Sequence, residues 1–454
     1  MLPIITRLLP TPEDFGKFDI FYVISNFGTS IAKLGIYDAI FREFFDNNNA
    51  NYQKQITSTG LNIVLISSCI ISIVFLFLNN FIAGVFIGSR EYFFIVNLSA
   101  IAIVLQANQS ILSTPTRMQN QRIRFLYSGL LGSLSYYSLG ILFLKQGLAY
   151  NALIYANIIS GALVLLLFIF YNHSFFKVGT INLKIAKNLL QTGLPLAPVF
   201  VLYWLFQSSS RLFISNMLSL DQLGIYAVGV RLSSISSFIQ MAFAEGWLYF
   251  TFSTMKDEDQ AEVKSKLFNY MTLVFLLFYF LSIIFAKPIF KILLSDNYVQ
   301  GYIVFPFLFL SPLMLILYQT VANQFIIAKK SYYSTICVFI GGIFNIGLNF
   351  IFVQKFGIKG AAFATLLTYV ILVISALFFA NRIRVFSVPR KYYFYFIFII
   401  LFSSFQLFYE IQNMYLPLLL ICVLIIITRK DLSSLLGLIR KVILSYKRIR
   451  CKKV

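Results

Sequence analysis

The stretch GLPLAPVFVLYWLFQSSSRLFISNMLSLDQLGIYAVGVRLSSISSFIQMAFAEGW, residues 193–247, decides the fold. It divides into two apolar spans around a short polar turn at 219–224. Arg211 lies seven residues before Leu218, and Arg231 lies seven after Gly224. At about 1.5 Å of helix rise per residue, both would sit roughly 10 Å below one membrane face. A cation in hydrocarbon costs about 2.5–3.5 kcal/mol on the insertion scale. Two at matched depth on neighbouring helices therefore predict a water-filled cavity in which they meet an anion. The bland alternative is that they snorkel to the interface or pair with backbone carbonyls.

The rest of the chain extends this pattern. Of 454 residues, 59% are hydrophobic and only 12% charged, and the mean hydropathy is +0.82. Apolar runs of about 20 residues recur, which is the mark of an all-α polytopic membrane protein. The net charge is +21, but the basic residues flank apolar runs and form no patch. They orient the chain in the bilayer, and no nucleic-acid partner is expected. Cys69, Cys337, Cys422 and Cys451 show neither ligand spacing nor disulfide spacing, and the single histidine, His173, falls in a loop. No metal or other cofactor is expected. Residues 1–17 lack the apolar core of a cleavable signal peptide.

Thirteen spans can be read: 18–36, 61–81, 92–113, 125–144, 148–170, 193–218, 224–250, 267–286, 302–328, 332–353, 360–380, 392–409 and 414–428. The first is the weakest, because it carries Asp19 and Lys33. Most of the 37 Lys and Arg residues fall on one set of alternate flanks. That bias puts the basic tail, 429–454, in the cytoplasm and the N-terminus outside. The tail, with its LSSLLGLIRKVILSY, could lie on anionic lipid as an amphipathic helix.

An internal repeat accounts for the organisation. TPEDFGKFD at 11–19 resembles SLDQLGIYA at 219–227, with Gly16 on Gly224; KQGLAYNAL at 145–153 resembles KFGIKGAAF at 355–363, at nearly the same offset. Two lobes of one plan in parallel orientation are implied. The expected division is an N-terminal lobe at 1–187, a C-terminal lobe at 188–386, two further spans at 387–428 and the tail. In this register the partner of 193–218 would begin before Met1, so a first helix is expected to be missing.

Several motifs now converge on one family. FGIKGAAFATLLTYV (356–370) resembles the G-x-x-G-A-A-x-A-T signature of Wzx-type polysaccharide flippases, a branch of the MOP superfamily. TGLPLAPVF (192–200) followed by Arg211, Gly224, Tyr226 and Trp247 resembles that family's central segment. LGIYDAIFREFF (34–45) matches its G-x-x-x-A-x-x-R, with Arg42 as the arginine, and FNIGLNF (344–350) fits as well. The resemblance covers essentially the whole chain. It departs in two places: the family has a helix before residue 10, and it often has Asp where this chain has Ser210.

The resemblance implies a MATE-like arrangement of two lobes around a central cationic cavity. It also implies transfer of undecaprenyl-pyrophosphate-linked oligosaccharides across the bacterial inner membrane by alternating access, for O-antigen, capsule or exopolysaccharide assembly. Partners would be that glycolipid, the bilayer, and polymerase and chain-length machinery. Arginine suits the task because its planar fork binds phosphate oxygens in pairs and stays charged. The candidate substrate-binding residues are Arg211, Arg231, Arg42 and Lys33. Glu245 is a candidate gate that would pair with Lys33 or Arg42. For Lys33 the alternative is snorkelling, and for Arg42 it is membrane anchoring. A multidrug antiporter of the same superfamily would want net acidic charge inside its helices. A membrane enzyme of the same pathway would want large loops with paired carboxylates. The only acidic cluster is Asp257, Glu258 and Asp259, on a short loop.

Overall fold

The computed structural model describes residues 2–46, 49–177, 179, 181–254, 260–386, 391–409 and 415–429, and the described residues are almost entirely helical. Nine described stretches are long and apolar enough to cross a membrane. One of them, of 51 residues, is a hairpin of two spans broken at Gly357, which has φ 57°. Two shorter apolar helices follow it. The helix of the weakest sequence span, Pro12–Ala32, is too polar to be among the nine. With the hairpin divided, these segments account for all thirteen spans read from the sequence.

The chain forms two compact units, and the division falls inside one helix, between Ala227 and Val228. The first unit contains α1 (Leu2–Leu8), α2 (Pro12–Ala32), α3 (Ile36–Asp46), α4 (Ala50–Phe77), α5 (Asn79–Ile87) and α6 (Phe93–Leu112). It continues with α7 (Thr114–Met118), α8 (Arg122–Lys145), α9 (Ala149–Asn172), α10 (Leu183–Gly193), α11 (Ala197–Met217) and the first turns of α12 (Leu220–Ser253). Residues 293–299 also belong to it. The second unit holds the rest of α12, then α13 (Gln260–Leu293), α14 (Phe305–Ile327), α15 (Tyr332–Arg382), α16 (Lys391–Phe408) and α17 (Tyr415–Ile427).

Helix α2 is the axis of the first unit. Thr11 caps it: its hydroxyl oxygen accepts from the Asp14 N–H at 3.3 Å, and Pro12 stands in the first turn, where its missing N–H costs nothing. It ends at Lys33 because the chain then turns left-handed, Leu34 at φ 49° and Gly35 at φ 69°. Over its length α2 meets α6, α11, α4 and α9. Ser67 of α4 donates to the Ala32 carbonyl, and the Trp204 indole of α11 donates to the Val23 carbonyl at 3.1 Å.

The two glycines matched by the repeat touch. A Cβ on Gly16 would lie 1.9 Å from the Leu220 carbonyl oxygen, and one on Gly224 would lie 1.8 Å from that of Pro12. Only hydrogen fits at either position, so α2 and the start of α12 cross backbone against backbone. Tyr298 closes the same corner. Its ring packs edge-on against Phe15, and its hydroxyl donates to the Thr11 carbonyl at 3.0 Å.

Two of the helices outside the expected spans, α3 and α10, are amphipathic and pack on each other. A search for long apolar runs passes over such segments, because only one face of each is apolar. The connection before α10 is pinned to α4. Ser58 donates to the Lys177 carbonyl at 2.9 Å, and Asn62 accepts from the Gly179 N–H at 2.9 Å.

In the second unit the halves of α15 fold back on each other around Gly357, with Asn345 donating to Thr368 at 3.1 Å. Buried Tyr279 of α13 donates to Gln406 of α16 at 2.8 Å.

Candidate functional site

Helix α2 carries charge at two levels. Asp19 sits in its second turn and Lys33 at its C-cap, about 21 Å apart along the axis at 1.5 Å per residue. Helix α11 runs antiparallel beside it, and this brings Arg211 to Asp19. The Arg211 Nε lies 2.9 Å from the Asp19 Oδ2, with the side chains 17% and 4% exposed. Neither atom has a hydrogen-bond partner besides this contact among the described residues. Arg211 therefore neither snorkels nor leans on backbone carbonyls; a buried carboxylate neutralises it. Ser210 stands where the family resemblance expects an acid, and the acid comes instead from across the helix pair. The sequence signal for this partner is Asp19 itself, an intramembrane acid that had counted only against its span.

The polar turn between the two spans is shorter than its composition suggests. Only Leu218 and Ser219 separate α11 from α12, because Ser219 accepts from the Gln222 N–H at 3.2 Å and the polar residues enter the first helical turn. Arg211 thus stands six residues before the end of α11, and Arg231 eleven residues into α12. The equal spacing read from the sequence does not hold. Arg231 is half-buried and belongs to the second unit, whereas Arg211 belongs to the first.

At the other level the charges are open. Lys33 lines a cavity of about 340 Å³ together with Ser30, Gly35, Tyr37, Asp38, Ser110, Ser113, Arg117 and Phe200. Arg42 lines a neighbouring, wider cleft of about 590 Å³ with Asp38, Glu43, Asn188, Gln191, Thr192 and Leu196. Asp38 stands on the wall of both. Neither Lys33, Arg42 nor Arg117 makes an ion pair among the described residues. Gly35 makes this geometry possible. Its left-handed turn presses against α10, where a Cβ would lie 2.2 Å from the Gly193 carbonyl oxygen.

Arg117 is the residue that the sequence reading missed as a site residue, having grouped it with the orienting cations of the loops. Its guanidinium donates to the Tyr37 hydroxyl and lies 5.3–5.9 Å from the ring centres of Tyr37, Phe41 and Phe125. Burial pushes the Tyr37 hydroxyl above its ordinary value, against the opposing pull of the Arg117 charge. Spacing could not have found Arg117, since it reaches Lys33 only through the packing of α3 and α7. Glu245 lies on α12, but its side chain is outside the described residues, as are the acidic cluster at 257–259 and the tail from residue 430.

The polysaccharide biosynthesis protein model matches residues 4–302. The chain belongs to the polysaccharide biosynthesis protein family. The fold is shared with solved membrane transporters. The chain is similar to the lipid II flippase MurJ in an inward closed conformation, with TM-score 0.69 and 16% identity over 94% of each chain. It is also similar to an inward-facing multidrug resistance MATE transporter, with TM-score 0.64 and 14% identity over 85% of this chain and 93% of that one. A third likeness is to a point mutant of the Vibrio cholerae MATE transporter VcmN, with TM-score 0.58 and 15% identity over 84% and 90%. At such identities these likenesses establish the fold. No curated protein is similar enough to match. These three solved neighbours are a lipid flippase and two MATE transporters.

Proposed function

We propose that the protein is a flippase for polyprenyl-pyrophosphate-linked oligosaccharides in the bacterial inner membrane, serving O-antigen, capsule or exopolysaccharide assembly. The observation that carries this reading is the pair of adjoining clefts in the first unit, lined by Lys33, Arg117 and Arg42 without ion-pair partners among the described residues. A pyrophosphate and a hydrated sugar chain cannot cross hydrocarbon unaided, because an unpaired buried charge is prohibitive. Unpaired cations at the end of α2 offer that headgroup a first counter-charge. The C-terminus would be cytoplasmic. Lys33 and Arg42 would receive the headgroup, and Arg211 and Arg231 would hold it further along. Arg211 must then exchange Asp19 for phosphate during the cycle, and Glu245 would pair with Lys33 or Arg42 when that side closes.

The reading of a multidrug antiporter gains a buried acid in Asp19, but the acid is occupied by Arg211. Glycan export in a strain lacking its own flippase tests the proposal. Arg231→Ala is expected to abolish export while the protein remains in the membrane at its normal level. Arg211→Ala would leave Asp19 buried and unpaired, so the variant to use at that position is Asp19→Asn with Arg211→Gln. Normal export by both variants removes these arginines from the site, and no export by the wild type removes the function.

A further inference from the structure

Arg117 has no assigned role, yet three aromatic rings and one hydroxyl contact its guanidinium. We infer that Arg117 and Lys33 form a docking site for a lipid-borne phosphate, with its attached hydroxyl groups received by the serines of the same cavity. The inference deepens the flippase reading and rests on it for the identity of the lipid.

Three features carry it. The first is pre-organisation. A long basic side chain that merely orients the chain in a bilayer is free to move, and ordering it costs entropy. Arg117, although exposed, lies against the rings of Tyr37, Phe41 and Phe125, and it donates to the Tyr37 hydroxyl. Arginine stacks on aromatic faces in this way while keeping its other N–H groups directed elsewhere. The planar fork is thus fixed before any ligand arrives.

The second is the chemistry of the wall. Ser30 donates to the Asn26 carbonyl at 2.8 Å, Ser110 to Ala107 at 2.7 Å and Ser113 to Ser110 at 2.8 Å. Each hydroxyl proton is committed to the helix, so each oxygen offers the cavity an acceptor. Acceptors suit the hydroxyls of a sugar or a glycerol, and the two cations suit the phosphate beside them. Asp38, on the same wall, faces Lys33 without reaching ion-pair distance, and it discourages a second anion. The volume of about 340 Å³ falls in the range of about 300–1,000 Å³ typical of small-molecule sites.

The third is local strain. Lys33 is presented by a left-handed turn in which Leu34, a non-glycine residue, has φ 49°. Such a conformation is strained and persists where the surrounding structure enforces it, often at ligand sites.

Two lipids share this chemistry: an isoprenyl-pyrophosphate glycolipid and a bulk phosphatidylglycerol. Binding of radiolabelled farnesyl diphosphate to the purified protein in phosphatidylcholine nanodiscs tests the site, with farnesol as the uncharged control. Arg117→Gln and Lys33→Gln are each expected to weaken farnesyl diphosphate at least about ten-fold, leaving farnesol unchanged. Arg117→Lys keeps the charge without the fork, and an intermediate loss is expected. Displacement of the label from the wild type by phosphatidylglycerol would assign the phosphate to bulk lipid. Resistance to that displacement would assign it to the pyrophosphate glycolipid. Equal affinities of the wild type and a folded Arg117→Gln protein, or no binding by the wild type, would overturn the inference. Parallel export measurements separate the two claims: a wild type that exports glycan while Arg117→Gln binds normally loses this site but keeps its function.

Discussion

The two ends of α2 handle charge in opposite ways. Toward its N-terminus, Asp19 and Arg211 are buried and neutralise one another. At its C-terminus, Lys33 shares a cavity with Arg117 and has no ion pair among the described residues. The first arrangement closes a backbone-tight corner, with Gly16 against Leu220 and Tyr298 over Phe15. The second sits at a left-handed turn beside two amphipathic helices, on the wall of a cavity. A cation inside a membrane protein is therefore not by itself a substrate contact. What distinguishes a cation ready for a ligand from one that must first exchange its partner is whether the fold has already supplied its anion.

The sharpest way to break this comparison is to remove the acid. Breaking one side of a buried ion pair costs about 3–5 kcal/mol, because the remaining charge is uncompensated. Asp19→Leu should therefore unfold far more readily in a detergent denaturation series. Asp19→Leu combined with Arg211→Met should recover most of that loss, since apolar replacement of a whole buried pair is often neutral or stabilising. A neutral Asp19→Leu would mean that the corner is not dry.

Next in size is the close crossing. Gly16→Ala places a methyl group within 1.9 Å of a carbonyl oxygen, and overpacking of this kind costs about 1–3 kcal/mol. A thermal unfolding shift in the same detergent measures it. A smaller effect is expected where α2 begins: Thr11→Ala removes an N-cap worth about 1 kcal/mol. The smallest is expected at the open end. Lys33→Gln should change unfolding by no more than about 0.5 kcal/mol, since no ion pair is lost, and Arg117→Gln, which loses an exposed cation–π contact, by about 0.5–1 kcal/mol. A large stability loss there would make Lys33 and Arg117 structural and erase the contrast between the two ends.

Much of this architecture was legible in the chain. Thirteen apolar spans, including the gap between 353 and 360, follow from the runs, and the repeat matches Gly16 with Gly224; that these glycines touch, and that the gap turns at Gly357, came from the structure. Of the four cations nominated as a site, Arg211 and Arg231 lie on apolar helices, Lys33 caps α2 and Arg42 lies on α3, but their company was not legible. Arg211 appeared as an orphan because Asp19 was weighed against its own helix and never as a partner. Arg117 appeared as one of many loop cations, since α3 and α7 carry too little apolar sequence to stand out.

By itself, the sequence determined that the chain crosses a membrane many times, that it is built on a repeated plan, and how its charges are distributed along each helix. Those properties depend on the transfer free energy of each segment, which is local and additive over neighbouring residues. Tertiary structure alone decided which charges would be satisfied. The antiparallel packing of α2 and α11 carries Asp19 to Arg211, and the turn at Gly35 carries Lys33 toward Arg117. Electrostatic energy depends on separation in space and on burial, and neither is encoded in separation along the chain.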